Sequence, residues 1–234
     1  MTLSQSPSYN GRMIWVGQFG IADGEAREET PWVGAYPADE HDEYSADVYV
    51  LVEPALPGSE EFCGEMKDAI GRFFHQSSGS LTGGLLRAMR QANENLRDWN
   101  RRSLKEHQVA AGVTCLAMRE SEAYLAQVGP SRAVFFRRGQ SEYITPTIPD
   151  ATQPLGLQDE FWPEFHRFEL APGDRLLLLS PGLAETLAQP ALTTALALED
   201  GEQALPELYK LARGQRDCAA LLVAATPEIA PARR

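Results

Sequence analysis

The chain has 234 residues, 43% of them hydrophobic, enough for one large domain with a sizeable core. Its 33 acidic side chains outnumber 21 basic ones, and the resulting charge of -12 argues against nucleic acid or anionic membrane as a partner. No stretch reaches the roughly 18 to 20 apolar residues of a membrane span. Met1 to Asn10 is polar and lacks a basic-then-apolar signal pattern, so a cytoplasmic protein is expected. Cys63, Cys115 and Cys218 are odd in number and sit among apolar neighbours, which fits buried free thiols. His41, His75, His107 and His166 show no paired spacing of a zinc site.

In chain order, Arg12 to Phe19 and Ala46 to Glu53 read as strands. They flank a long acidic loop from Ala22 to Ser45. Phe62, Met66, Ile70 and Phe73 repeat at helical spacing, as do Leu81, Leu85, Met89, Ala92, Leu96 and Trp99. The second helix carries Arg87, Arg90, Arg97, Arg101 and Arg102 on its other side, a solvated face or a landing place for an acidic or phosphorylated partner. From Val113 a meander of mostly antiparallel strands follows: Val113 to Met118, Ala123 to Val128, Ala133 to Arg137, Glu142 to Ile144, Phe165 to Leu170 and Arg175 to Ser180. Helical stretches at Gly182 to Ala188, Ala191 to Leu198 and Gln203 to Arg213 precede a last strand, Ala219 to Ala225. The fold class expected is α+β, with two antiparallel sheets packed together and helices outside. Residues 1–11 are expected to be a flexible N-terminus, 12–225 a single domain and 226–234 a flexible tail.

Five strings carry chemistry by analogy. They are V-L-V-E-P (Val50 to Pro54), the strand pair from Gly112 to Leu125, V-G-P-S-R-A-V-F-F-R-R-G (Val128 to Gly139), G-D-R-L-L-L-L-S-P-G-L (Gly173 to Leu183) and D-C-A-A-L-L-V (Asp217 to Val223). In order and spacing they resemble the PPM family of metal-dependent serine/threonine phosphatases, the protein phosphatase 2C-like enzymes. That resemblance implies a four-layer αββα sandwich. It also implies a site where aspartates hold two divalent metals and a bridging water attacks a phosphoester.

The same strings depart from the family at its metal-binding positions. Glu53 and Pro54 stand for D-G, Pro130 for the aspartate of G-D-S-R, Pro181 for that of S-D-G, and Cys218 for the asparagine after Asp217. Proline supplies neither a carboxylate nor an N–H. Of the ligand positions Asp217 alone remains cleanly, and Glu53 keeps a charge on a longer side chain. Asp39, Glu40 and Asp42 are possible residual acids upstream, and Gly34 to Ala38 holds no arginine to grip a phosphate. The reading is therefore a degenerate member: no catalytic residue, no metal and no cofactor expected. Its role would be to bind a protein, a phosphoprotein or a kinase, in serine/threonine phosphorylation signalling. The alternative is a weakly active phosphatase with manganese or magnesium held by Glu53 and Asp217, helped by the upstream acids. Gly129-Pro130-Ser131-Arg132-Ala133 fails the last position of a serine hydrolase elbow.

Overall fold

The computed structural model describes residues 2–5, 14–27, 29–39, 41, 45–77 and 79–226. Two antiparallel sheets form its centre. One runs β1 (Thr2–Gln5), β2 (Ile14–Ala22), β12 (Cys218–Ala225), β11 (Arg175–Leu179), β8 (Arg132–Arg137) and β9 (Gln140–Ile144), with β3 (Glu25–Arg27) also on β2. The other runs β10 (Glu164–Glu169), β7 (Glu122–Val128), β6 (Ala111–Arg119), β5 (Asp47–Pro54) and β4 (Val33–Tyr36). α1 (Glu60–His75) and α2 (Leu81–Arg102) cover the second sheet, while α3 (Pro181–Thr186), α4 (Gln189–Leu196) and α5 (Gly201–Ala212) cover the first. This is the expected αββα sandwich.

Two apolar layers hold it together. The larger joins the facing sides of both sheets to α1 and α2, through residues such as Leu51, Ile70, Leu85, Leu116, Leu176 and Leu221. The smaller lies between the first sheet and α3 to α5, through Trp15, Leu177, Leu183, Leu192 and Leu205. β12 is buried along its whole length, which is why Cys218 to Ala225 reads as a continuous apolar run and not an alternating one. The helices start where their caps allow. Ser80 Oγ accepts from the Gly83 N–H at 3.1 Å to open α2, and Asp200 Oδ1 accepts from the Gln203 N–H at 2.8 Å to open α5.

Three features differ from the sequence reading. The expected loop from Ala22 to Ser45 contains β3 and β4, which have three and four residues and lack an alternating pattern, so their pairing partners define them and their composition does not. Residues Thr2–Gln5 pair with β2, where no strand was expected. The meander is split between sheets: β6 and β7 lie in one, β8 and β9 in the other, β10 returns to the first pair and β11 leaves again. Each sheet needs the other to bury its inner face, and local composition carries no record of which strand goes where. Cys63, Cys115 and Cys218 are free and buried.

Candidate functional site

The positions singled out in the motif strings gather where β5 ends. Gly34 and Tyr36 turn toward α1, since a Cβ on either Gly34 or Gly71 would meet the Tyr36 ring. Gly34 lies opposite Val50. Alternation along β5 then turns Val50 and Val52 toward α1, and Leu51 and Glu53 toward the other sheet. Glu53 is only half-buried as a residue, but its Oε1 is sealed from solvent and has no hydrogen-bond partner. Burial alone pushes its carboxyl up to about 8, so the group is mostly protonated at neutral pH. Its neighbours feel it: the Cys63 thiol is pushed up to about 12 and that of Cys218 to about 11, by burial first and by the Glu53 charge second. Glu53 therefore sits between α1 and the start of β12.

Pro130 lies beside it. Glu53 pairs across the ladder with Gly112, and a Cβ on Gly112 would approach Pro130 Cδ to 2.8 Å. Gly129, at φ +72°, in turn packs on the Gly112 Cα, so the V-G-P turn lies flat against β6 where only glycines fit. The Ser131 N–H closes that turn on the Gly129 carbonyl at 2.8 Å, and Arg132 Nη1 donates to the Ser131 carbonyl at 2.9 Å. Ser131 Oγ and Thr114 Oγ1, both buried, have no partner among the described residues.

Pro181 occupies the first turn of α3, where a missing N–H costs nothing. The residue before it, Ser180, is bound to β12: its N–H donates to the Ala219 carbonyl at 3.0 Å and its Oγ accepts from the Ala219 N–H at 3.3 Å. Cys218 and Asp217 follow directly. Asp217 is exposed and serves a turn. Its Oδ1 accepts from the Asp23 N–H at 3.0 Å, Arg216 Nε lies 3.6 Å from its Oδ2, and the Gly24 N–H donates to the Arg216 carbonyl at 2.7 Å. Asp23 has φ 54°, a left-handed position that such a side-chain bond helps to hold.

The upstream acids do not converge here. Asp39 is exposed, its N–H donates to Ser45 Oγ at 2.9 Å, and its Oδ1 accepts from the His41 N–H at 2.9 Å. The neighbouring Ala38 N–H donates to Asp47 Oδ1 at 2.9 Å, which fixes Asp39 at the far end of β5. Six strand residues at ~3.4 Å each separate the two ends by about 20 Å. Glu40 and Asp42 lie outside the described residues. Beside the end of β5 the chain places Trp32, buried, whose carbonyl accepts from the Val52 N–H at 2.8 Å. Sequence spacing does not reveal it, because the four residues of β4 carry no strand pattern.

A site for two divalent metals needs several charged oxygens pointing at one place. Here Pro130 and Pro181 offer none, Glu53 brings one carboxyl at the end of β5, and Asp217 is exposed with Oδ1 bonded to the Asp23 N–H. Among the described residues no three His, Cys, Asp or Glu side chains come together as metal ligands would. These residues do not fit the metal pair.

The Pro154-Leu155-Gly156 segment joins this end to α2. Leu155 exchanges both backbone bonds with Ala111, at 3.1 and 2.8 Å. Asn93 and Asn100, two helical turns apart on α2, hold the adjoining residues: the Gly156 N–H donates to Asn93 Oδ1 at 2.8 Å, and Asn100 Nδ2 donates to the carbonyls of Val109 and Gly156, both at 2.8 Å. None of the described helices is long and apolar enough to cross a membrane.

Comparison with known proteins agrees with this fold. The chain is similar to Stp1 from Staphylococcus aureus, a serine/threonine phosphatase (20% identity, 91% of this chain and 94% of that one, TM-score 0.74). It is similar to PppA, described as a key regulatory component of T6SS in Pseudomonas aeruginosa (20% identity, 91% and 97%, TM-score 0.69). It is also similar to the catalytic domain of the serine/threonine protein phosphatase PstP, solved with two manganese ions (16% identity, 92% and 100%, TM-score 0.69). At such identities these likenesses establish the fold. No curated protein matches the sequence. The model of the family described as stage II sporulation protein E (SpoIIE) matches residues 62–230, from α1 past the end of β12. The chain therefore belongs to the SpoIIE family and carries the PPM phosphatase fold.

Proposed function

We propose that this protein is a PPM-fold domain without phosphatase chemistry, a pseudophosphatase that acts by binding another protein in serine/threonine phosphorylation signalling. One observation carries the reading: among the described residues no three His, Cys, Asp or Glu side chains come together as metal ligands would. Asp217 caps the β2–β3 turn, and Glu53 is a buried carboxyl raised to about 8. Without several carboxylate oxygens converging on one place there is no means to generate a bridging hydroxide, and positioning alone supplies no nucleophile. Binding in place of catalysis is supported by the retained frame, whose strands, turns and clamps are intact around the altered positions. That PppA, of the same fold, is described as a regulatory component is consistent with such a role.

The test is turnover of p-nitrophenyl phosphate and of phosphoserine peptides with and without manganese. No rate above background is expected at neutral pH. A manganese-dependent rate that disappears in an Asp217→Ala variant would instead establish residual phosphatase activity.

A further inference from the structure

A groove of about 320 Å³ runs between α1 and α2 on the outer face of the sandwich. Phe62, Met66 and Arg72 of α1 and Leu96, Trp99 and Arg102 of α2 line it. Trp99 is 44% exposed, and its ring is held open against Phe62 with centroids 4.9 Å apart. An aromatic side chain fixed in this way and left uncovered is the usual anchor of a protein interface.

The charges of the groove point to the chemistry of what would cover it. Some arginines of the chain are ion-paired: Arg97 with Asp159, Arg101 with Asp98, Arg137 with Asp174 and Arg167 with Glu122. Among the described residues Arg72 and Arg102 have no ion pair. Arg102 Nε donates to the Asp98 carbonyl at 2.9 Å, which leaves both terminal nitrogens free. Asp68, close enough to feel the Arg72 charge, accepts from Lys67 Nζ and the Tyr36 hydroxyl through Oδ1, both at 2.7 Å. Of the two groove acids, Asp98 is engaged by Arg101 at 2.7 Å, and Glu65 is the other. The groove thus offers two guanidinium groups against one free carboxylate.

We propose that this groove seats an acidic amphipathic helix of a partner protein, with an apolar side chain against Phe62 and Trp99 and carboxylates on Arg72 and Arg102. This rests on the protein-binding reading above and names the surface and the partner's chemistry. Phe62 to Arg72 spans ten residues of helix, or about 15 Å at ~1.5 Å each. A partner helix of three turns fits that length, its acids two to three turns apart and its apolar residues at i, i+3 and i+4 between them. Guanidinium groups bind carboxylates in paired hydrogen bonds, which fixes register as well as affinity.

The test uses a fluorescein-labelled peptide of about 14 residues, enough for a marginal helix, with leucines at i, i+3 and i+4 flanked by glutamates. Anisotropy titration against the full chain is expected to saturate. Arg72→Glu with Arg102→Glu should weaken binding at least tenfold, Arg72→Lys with Arg102→Lys should weaken it less than the charge reversal because the charge is kept while the paired hydrogen bonds are lost, and a glutamine-for-glutamate peptide should bind at least tenfold more weakly. The Trp99 indole resonance should shift on binding. No saturable binding, equal affinity for the glutamine peptide, or indifference to the charge reversal would each overturn the proposal. So would self-association abolished by the same reversal, which would make the occupant a second copy. Phosphatase assays on the same preparations separate the two claims: turnover refutes the inert site and leaves the groove standing, whereas loss of peptide binding without turnover refutes the groove alone.

Discussion

Two regions of this molecule treat buried polar groups in opposite ways. In the clamp between α2 and the Leu155–Gln158 segment, Asn93 and Asn100 use every amide group: besides the bonds to Gly156 and the Val109 carbonyl, Asn93 Nδ2 donates to the Gln158 carbonyl at 3.1 Å and the Val109 N–H donates to Asn100 Oδ1 at 2.8 Å. Around the end of β5, by contrast, Glu53 Oε1, Ser131 Oγ and Thr114 Oγ1 are buried without partners. A satisfied network fixes structure, and an unsatisfied one costs stability wherever nothing fills the gap. The clamp is thus a region held by its own polar bonds, and the strand end is one where buried polar groups are left without them.

The largest effect that would sharpen this contrast belongs to Glu53. Its folded carboxyl is raised to about 8, well above the ordinary glutamate value, so the folded protein keeps a proton that the unfolded chain releases. The resulting contribution is fully present below the unfolded value and is lost as pH rises through the folded one, at up to about 1.4 kcal/mol per pH unit. Urea denaturation should therefore show the parent losing several kcal/mol between pH 4.5 and 8 relative to Glu53→Gln. Parallel pH profiles for the two proteins would mean that Glu53 has a partner or is solvated.

The clamp comes next. Asn100→Ala removes two donated bonds and one accepted bond, stranding buried backbone groups on Val109 and Gly156. A loss of about 3 kcal/mol is expected in the same assay. A loss under about 1 kcal/mol would show that water replaces the amide there.

How much of this was legible in the sequence depends on what kind of information each feature needs. α1 and α2 announce themselves because Phe62, Met66 and Ile70, and Leu85, Met89 and Leu96, repeat at helical spacing and are packed in the core. The motif strings likewise place Glu53, Pro130, Pro181 and Asp217 at strand ends, and the structure brings Glu53 against the Gly112–Pro130 contact and Ser180 against Ala219. Asp39 is different. Its distance along the chain fits a ligand, but β4 carries the chain to the far end of β5 before Asp39 is reached, and a strand of four residues around Gly34 leaves no pattern to reveal that. The raised carboxyl of Glu53 was equally invisible, because it is produced by what surrounds the side chain and not by its type.

The smallest effect concerns Asp217. If it serves only the β2–β3 turn, Asp217→Asn should cost no more than about 1 kcal/mol in thermal or urea unfolding, as for other exposed ion pairs and turn bonds. Manganese should not change that cost. A variant whose stability differs from the parent only when manganese is present would return Asp217 to a metal site.

The central claim is that the frame survives while the metal chemistry is gone, and calorimetric titration of manganese into two proteins tests it most directly. One is the parent. The other carries Glu53→Asp, Pro54→Gly, Pro130→Asp and Pro181→Asp, with its folding checked by thermal unfolding. The account predicts no tight site in the parent at neutral pH and a clear gain of manganese affinity in the restored protein, because the changed positions lie on strand ends held by a packed sandwich. Two tight sites in the parent would contradict it.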